Sequence, residues 1–140
     1  MLKNGENMAD ILDTNVLLRF LVGDNKKQQQ QAKKWFSQAE KGKREIIVKP
    51  LVVAEACFVL ESFYHQERDK IANAFEIFLS QRWLKVDERE TLLNLWSLYR
   101  QNLHFVDSFL LAWIKVNRGG ILTFDQQMLK RTKDIVNLGD

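Results

Sequence analysis

The stretch ADILDTNVLLRFLVG, residues 9–23, decides the fold class of this 140-residue chain. It begins with a short apolar run, residues 9–12, which is typical of a buried strand, and passes without a loop into apolar residues at helical spacing. Gly23 stands where the C-cap of that helix is expected. A strand that leads directly into a helix predicts the first half of a β-α-β unit, and therefore a parallel sheet.

The same alternation of short apolar runs and longer helical patterns continues along the chain. Further strands are predicted at residues 45–48, 84–86 and 121–124, and the segment DIVNL (134–138) is a candidate fifth strand. Helices are predicted over residues 26–41, 50–65, 69–81, 88–101 and 106–117, with a short terminal helix after Asp125. The strands are apolar throughout, as strands covered on both faces require. We therefore predict an α/β protein, a single-domain α/β/α sandwich of Rossmann type with a short parallel sheet.

Length and composition predict one domain, with 46% hydrophobic and 28% charged residues. We assign it to residues 9–140 and leave residues 1–8 as an N-terminal tail, with Met8 as an alternative start. The first residues lack the apolar core of a signal peptide, and no apolar run is long enough to span a membrane. A cytoplasmic protein without membrane association is expected. Cys57, the only cysteine, allows no internal disulfide and is predicted to be a buried thiol.

One glutamate, Glu55, interrupts the apolar run PLVVAEACFVL, residues 50–60. An isolated buried carboxylate costs several kcal/mol, so Glu55 must either be compensated or line a cleft. No basic residue lies one helical turn away to pair with it. The pattern therefore favours a functional role for Glu55.

Three aspartates occupy related positions in the predicted architecture. Asp13 and Asp125 follow the strands at residues 9–12 and 121–124, and Asp107 lies in the first turn of a helix. The carboxyl ends of parallel strands meet at one edge of the sheet, where such folds bind their ligands. Each aspartate alone is also a suitable helix-capping residue, and that alternative stays open. The four acids together favour a shared site.

Clustered carboxylates raise one another's pKa, and a divalent cation relieves that repulsion. Mg²⁺ and Mn²⁺ prefer oxygen ligands, whereas the sequence contains neither a Cys/His set with zinc spacing nor a glycine-rich phosphate loop. A Mg²⁺ or Mn²⁺ site is therefore predicted. The net charge of +3 fits a polyanionic substrate, although solubilising lysines explain it equally well.

Other polar and aromatic residues have less specific predicted roles. Asn15 is expected to orient Asp13 by a side-chain hydrogen bond, and Thr123 to place its hydroxyl near the metal. His104 is expected to have a structural role, with an approach to a phosphate as the alternative. The segment KKQQQQAKKW, residues 26–35, is interpreted as a solvated helix face, and its tryptophan as a core or interface residue rather than a base-stacking platform.

At these residues the sequence resembles the PIN-domain family, and most of all its single-domain VapC-type toxin ribonucleases. The resemblance runs through ILDTNVLLRFL, PLVVAEACFVL, HFVDSFLLAWI and ILTFDQQML. By position, the acidic quartet of the family falls on Asp13, Glu55, Asp107 and Asp125, and its polar helpers on Asn15 and Thr123. Gln126 and Gln127 replace the charged or aromatic residues often found there, so no fifth acid is expected.

The resemblance implies a Mg²⁺- or Mn²⁺-dependent endoribonuclease that leaves 5′-phosphate and 3′-hydroxyl ends. Asp13 and Asp107 would bind the metal directly, and Glu55 and Asp125 would complete the site. It also implies a homodimer and, for a toxin of a type II toxin–antitoxin system, a small antitoxin whose tail blocks the cleft. Two alternatives stay open: an RNA-processing or DNA-cleaving nuclease outside such a pair, and a non-catalytic module that binds RNA or protein.

Overall fold

The structure is a computed structural model that describes the backbone of residues 9–138 and the side chains of residues 9–136. The predicted tail, residues 1–8, lies outside the described residues. The chain divides into two compact units, one ending at Glu88 and the other beginning at Arg89. None of the described helices has the length and apolar character needed to cross a bilayer.

The first unit contains a parallel sheet of three strands in the order β1-β2-β3. Its elements in chain order are β1 (Ala9–Ile11), α1 (Thr14–Val22), α2 (Lys26–Glu40), β2 (Glu45–Val48), α3 (Pro50–Ser62), α4 (Arg68–Leu79) and β3 (Lys85–Val86). Two helices connect each pair of strands, which is the long crossover that parallel pairing requires. The predicted α/β class with a short parallel sheet is confirmed.

Local signals in the sequence set the helix ends of the first unit. Gly23 adopts the left-handed conformation, with φ of 73°, and its N–H donates to the Arg19 carbonyl at 3.2 Å, which ends α1 as predicted. Asn25 caps α2, since its side chain accepts a 3.0 Å hydrogen bond from the Gln28 N–H. Pro50 occupies the first position of α3, where its missing N–H has no helical partner to lose.

Buried apolar side chains hold these helices together. Phe20, Phe36 and Phe78 form an aromatic cluster with ring centroids 4.7 to 6.1 Å apart. Helix α1 packs against both α2 and α3, and its residues Leu17 and Leu18 are buried. This packing fixes the start of α1, where Asp13 lies. Cys57 is buried, as predicted.

The second unit is helical, with α5 (Arg89–Asn94), α6 (Trp96–Arg100), α7 (Phe105–Asn117) and α8 (Gln126–Leu138). Leu111 and Ile114 of α7 pack against Met128 of α8, with Ile121 and Ile135 at the edge of this cluster. Trp96, Tyr99 and Phe105 form a second aromatic group. The first turns of α7 and α8, which contain or adjoin two of the predicted site residues, are therefore held by a common core.

The predicted strand at residues 121–124 is wrong: no described strand pairs with it, and Leu122 and Phe124 are fully exposed. An apolar run becomes a strand only when a neighbouring strand takes up its backbone hydrogen bonds. Here a local bond competes, because the Asp125 N–H donates to the Thr123 hydroxyl at 3.0 Å.

Two further predictions at the carboxyl-terminal end are wrong. The segment 134–138 belongs to α8 rather than to a fifth strand, because Met128 and Ile135 share the helical face that packs on α7. The terminal helix is consequently longer than expected. The predicted helix 88–101 is broken at Leu95, whose carbonyl accepts the first hydrogen bonds of α6 from Leu98 and Tyr99. No glycine or proline marks that break in the sequence.

Candidate functional site

Asp107 and Asp125 line one cavity of the second unit, with a volume of about 350 Å³. The other residues of its wall are Gln101, Asn102, Leu103, His104, Gln127, Met128 and Arg131. The structure thus brings together two of the four acids predicted from the sequence. They share the cavity with an imidazole and a guanidinium, which are groups suited to binding a phosphate.

The amino-terminal end of α7 determines the position of Asp107. The N-cap is His104, whose Nδ1 accepts from the Val106 N–H at 3.4 Å, so the predicted structural role of His104 is found and Asp107 is not the cap. Ser108 donates its hydroxyl to the His104 carbonyl at 3.0 Å. Asp107 itself is half-buried in the first helical turn, where the helix dipole favours a carboxylate. Among the side chains of residues 9–136 and the backbone described with them, the side chain of Asp107 bonds no other residue, so it is available to a ligand.

Asp125 does cap α8. Its Oδ1 accepts from the N–H groups of Gln127 at 2.9 Å and Met128 at 3.3 Å. The capping alternative is therefore correct for Asp125. The cap uses only Oδ1, and the other carboxylate oxygen bonds no described residue. Thr123 supports the turn through the backbone of Asp125. A cap and a ligand role are compatible here.

Arg131 is a wall residue that the sequence interpretation did not single out. Its Nη1 donates a long, 3.5 Å hydrogen bond to Gln101 Oε1. Gln127 and Arg131 are one helical turn apart on α8, so the spacing of QQMLKR after Asp125 was an available signal. A guanidinium in the wall of this cavity can attract a phosphate.

Asp13 lies in the first unit and lines a cavity of about 290 Å³. Its backbone carbonyl accepts from Val16 and Leu17 at 3.1 and 3.3 Å, which makes it the N-cap residue of α1, but its side chain makes no capping hydrogen bond. The exposed carboxylate is thus uncommitted, in contrast with that of Asp125. Arg44 and Asp10, which also line this cavity, form an ion pair.

The structure shows no hydrogen bond between Asn15 and Asp13, so the predicted orienting role of Asn15 is not found. Asn15 instead lines a separate cavity of about 180 Å³ between α1 and α2, together with Val16, Arg19, Gln28, Gln31 and Trp35. Val16 and Trp35 also line the cavity of Asp13, so the two cavities adjoin.

Arg19 is held in that wall by a polar network. Its Nε donates to Gln28 at 2.8 Å and its Nη1 to both oxygens of Asp24 at 3.1 Å. The Tyr64 hydroxyl donates to the same carboxylate at 2.8 Å. This hydrogen bond, together with the Arg19 guanidinium, holds the pKa of Asp24 below its ordinary value of 3.8. The same bond raises the pKa of Tyr64 above 10.0, because ionised Tyr64 could no longer donate.

Glu55 lies on the second turn of α3, as predicted, but it is exposed rather than buried. Leu51 and Phe58, one turn before and after it, are 83% and 63% exposed. Glu55 is therefore not the costly buried carboxylate that the apolar run predicted, because this face of α3 is open to solvent. No described residue pairs with the carboxylate.

The quartet thus comprises two acids in each unit. In the part of the chain that the structure describes, no three His, Cys, Asp or Glu side chains within a unit form a group that could hold a metal ion. The donor chemistry of the second unit nevertheless fits Mg²⁺, which is usually bound through one or two carboxylates while it keeps several waters. Asp107 and Asp125 offer two such carboxylates in one cavity.

Comparison with known proteins identifies the family. The PIN domain is the family model that matches, over residues 11–135, and so spans both units. PIN domains are generally nucleases and typically use divalent metals, and the observed helices and short parallel sheet agree with their α/β/α fold. No curated protein and no solved structure matches the chain. The match covers most of the sequence, and the chain therefore belongs to the PIN domain family.

Proposed function

We propose that this PIN domain is a Mg²⁺- or Mn²⁺-dependent endoribonuclease. The observation that carries the proposal is the cavity where Asp107 and Asp125 stand beside His104 and Arg131. Carboxylates for a cation and basic groups for a phosphate are the two requirements of metal-assisted phosphodiester hydrolysis. RNA is the proposed substrate, in the cytoplasm, and the family membership supports a nuclease.

Asp107 and Asp125 are the residues of this cavity that would hold the cation, and Asp13 and Glu55 are proposed to complete the site. A divalent ion bound there supplies Lewis-acid stabilisation of the charge on the scissile phosphate and makes water more acidic. The side chains of the protein position the phosphate and the attacking water. Arg131 binds a non-bridging phosphate oxygen, and the free carboxylate oxygens accept hydrogen bonds from ordered waters and orient them for in-line attack.

The toxin role in a type II toxin–antitoxin system, with a cognate antitoxin and a homodimer, is part of the proposal. One supporting observation is an exposed apolar stripe on α7, formed by Val106, Leu110 and Trp113 at one-turn spacing. Contiguous exposed apolar residues of this kind mark surfaces that bind other chains. Sedimentation of the purified protein measures whether it is a dimer, and Leu110→Glu should shift the equilibrium towards the monomer.

The deciding experiment is cleavage of RNA by the purified protein with Mg²⁺, with Mn²⁺ and with excess chelator, followed by mapping of the cleaved ends. We expect metal-dependent cleavage that is lost in Asp107→Asn and Asp13→Asn. Circular dichroism of each variant checks that the fold is intact. Wild-type rates in both variants would disprove the site, and binding of RNA without cleavage by the wild type would favour a binding module.

The toxin role is tested separately. Brief induction of the protein in cells should arrest growth. Sequencing of RNA ends from those cells should then reveal a small set of cleaved sites. Co-expression of a protein encoded by a small neighbouring gene should relieve the arrest. Metal-dependent cleavage without growth arrest would instead favour an RNA-processing nuclease.

A further inference from the structure

The cavity between α1 and α2 adjoins the cavity of Asp13 and has a mixed polar and aromatic wall. Val16 and Trp35 belong to both cavities. On α2, Gln28, Gln31 and Trp35 lie three and four residues apart, which places them on one helix face. A group held in this cavity would therefore lie beside the position of Asp13.

Three wall residues offer binding groups that the fold does not use. Trp35 is half-buried, and among residues 9–136 its indole makes no aromatic contact and no hydrogen bond. Asn15 and Gln31 are exposed, and their side-chain amides have no partner in the same range. An aromatic face beside free amide donors and acceptors is the combination by which proteins hold unpaired bases, through stacking and hydrogen bonds to the base edge.

Arg19, in contrast, is fixed before any ligand arrives. Gln28 and Asp24 accept its hydrogen bonds at 2.8 and 3.1 Å, and the Tyr64 hydroxyl donates to Asp24 at 2.8 Å. A side chain already held in one conformation loses little conformational entropy on binding. Arg19 thus gives the cavity a rigid wall with a cationic edge.

The surroundings favour a polyanionic ligand. Helix α2 carries four exposed lysines, Lys26, Lys27, Lys33 and Lys34, none of them in an ion pair with another described residue. Its only acidic residue is Glu40, at the opposite end of the helix from Lys26. Lys27 and Lys34 lie roughly a quarter turn from the cavity-lining face of α2, whereas Lys26 and Lys33 lie on the opposite face. Lys27 and Lys34 are therefore the lysines placed to attract the phosphates of a bound nucleotide. An acidic peptide would use the lysines but not the flat face and the free amides.

We infer that the cavity between α1 and α2 binds one unpaired nucleobase of an RNA strand, stacked on Trp35 and hydrogen-bonded by Gln31 and Asn15. The inference rests on the proposed ribonuclease function, for which it supplies a specificity subsite next to Asp13. It also replaces two interpretations of the sequence. The segment at residues 26–35 is more than a solvated helix face, and Trp35 is a stacking platform.

The direct test is binding of each ribonucleoside monophosphate, with ribose 5-phosphate as the ligand that lacks a base. Chemical shifts of the tryptophan indole N–H groups report on the site. We expect nucleotides to bind more tightly than ribose 5-phosphate, and Trp35→Leu to weaken them roughly 10- to 100-fold, the size of a lost base–aromatic stack. Trp35→Phe, which keeps an aromatic face, should restore most of the affinity.

Gln30 provides a matched control for Gln31, since it is exposed on the same helix but does not line the cavity. Gln31→Ala should change the preference among the four bases, and Gln30→Ala should not. Thermal unfolding of each variant verifies the fold. Equal affinity for nucleotides and ribose 5-phosphate, or unchanged binding in Trp35→Leu, would overturn the inference.

A cleavage assay separates this inference from the proposed function. If the wild type binds nucleotides through Trp35 but cleaves no RNA with Mg²⁺ or Mn²⁺, the ribonuclease proposal fails and the base site stands. If Trp35→Leu and Gln31→Ala cleave RNA with the wild-type base preference, the base site fails and the nuclease stands. In that case we would expect the cavity to bind a segment of a protein partner instead.

Discussion

Asp125 stands directly before α8 and Asp107 within the first turn of α7, and both line the same cavity of the second unit. Packing of Met128 on Leu111 and Ile114 joins the two helices, so the common core determines how the two carboxylates approach each other. One carboxylate also caps a helix and the other does not. That difference allows stability and catalysis to be separated by mutation.

Asp125→Asn should abolish cleavage while it changes stability little, because asparagine caps helices about as well as aspartate. Asp125→Ala should abolish cleavage and also cost about 1 kcal/mol, the usual price of a lost N-cap. Denaturant unfolding together with the cleavage assay distinguishes the two. Equal destabilisation by both substitutions would show that the cap is not what Asp125 contributes.

Glu55→Gln should leave the free energy of unfolding within about 0.5 kcal/mol of the wild type, since the side chain is exposed and unpaired among the described residues. The cleavage rate should nevertheless fall. Glu40→Gln, at an exposed acid outside the proposed site, is the matched control. Wild-type cleavage in Glu55→Gln would remove Glu55 from the quartet.

Leu111→Ala should destabilise the protein by about 2 to 5 kcal/mol, because it removes a fully buried side chain from the contact between α7 and α8. Leu122→Ala, at a fully exposed leucine outside the apolar stripe of α7, should cost less than about 1 kcal/mol. Chemical denaturation measures both. Similar losses in the two variants would contradict the role of Leu111 in this core.

Mg²⁺ or Mn²⁺ should raise the melting temperature, since a ligand that binds only the folded state stabilises it. At an ion concentration about 100 times the dissociation constant, the gain is about 2.7 kcal/mol. The double variant Asp107→Asn, Asp125→Asn should lose this shift. A shift that persists in the double variant would place the ion elsewhere.

The network of Asp24, Tyr64 and Arg19 predicts a pH dependence at both extremes. The lowered pKa of Asp24 means that its stabilisation is present above pH 3.8 and is lost as the pH falls through the folded-state pKa. The raised pKa of Tyr64 means that its stabilisation is present below pH 10.0 and is lost as the pH rises through its folded-state pKa.

Removal of the charge at Asp24 tests this network. In Asp24→Asn the pKa of Tyr64 should move back towards 10.0, as followed by the ultraviolet absorbance of the tyrosinate. Tyr64→Phe isolates the signal of Tyr99, the other tyrosine. An unchanged Tyr64 titration in Asp24→Asn would show that the hydrogen bond does not set its pKa.

Local chemistry in the sequence was sufficient for many elements. Gly23 and Pro50 marked their helix ends because left-handed backbone and a missing N–H are properties of single residues. Residues 45–48 form β2, as the short apolar run EIIV predicts. The positions of Asp13 and Asp107 at the starts of helices were likewise predictable.

Properties that depend on distant partners were not predictable in this way. Residues 121–124 have the composition of a strand, but a strand requires a paired neighbour, which no sequence window contains. Apolar residues surround Glu55, yet it is exposed, because burial depends on which helix face meets another element.

The sequence by itself determined the α/β class, most helix ends and the identity of the candidate acids, because these follow from backbone preferences and residue chemistry. Only the tertiary structure decided that Asp107 and Asp125 share a cavity with Arg131, and that Trp35 borders the cavity of Asp13. Those neighbours come from different helices, and the packing of the buried core sets their approach.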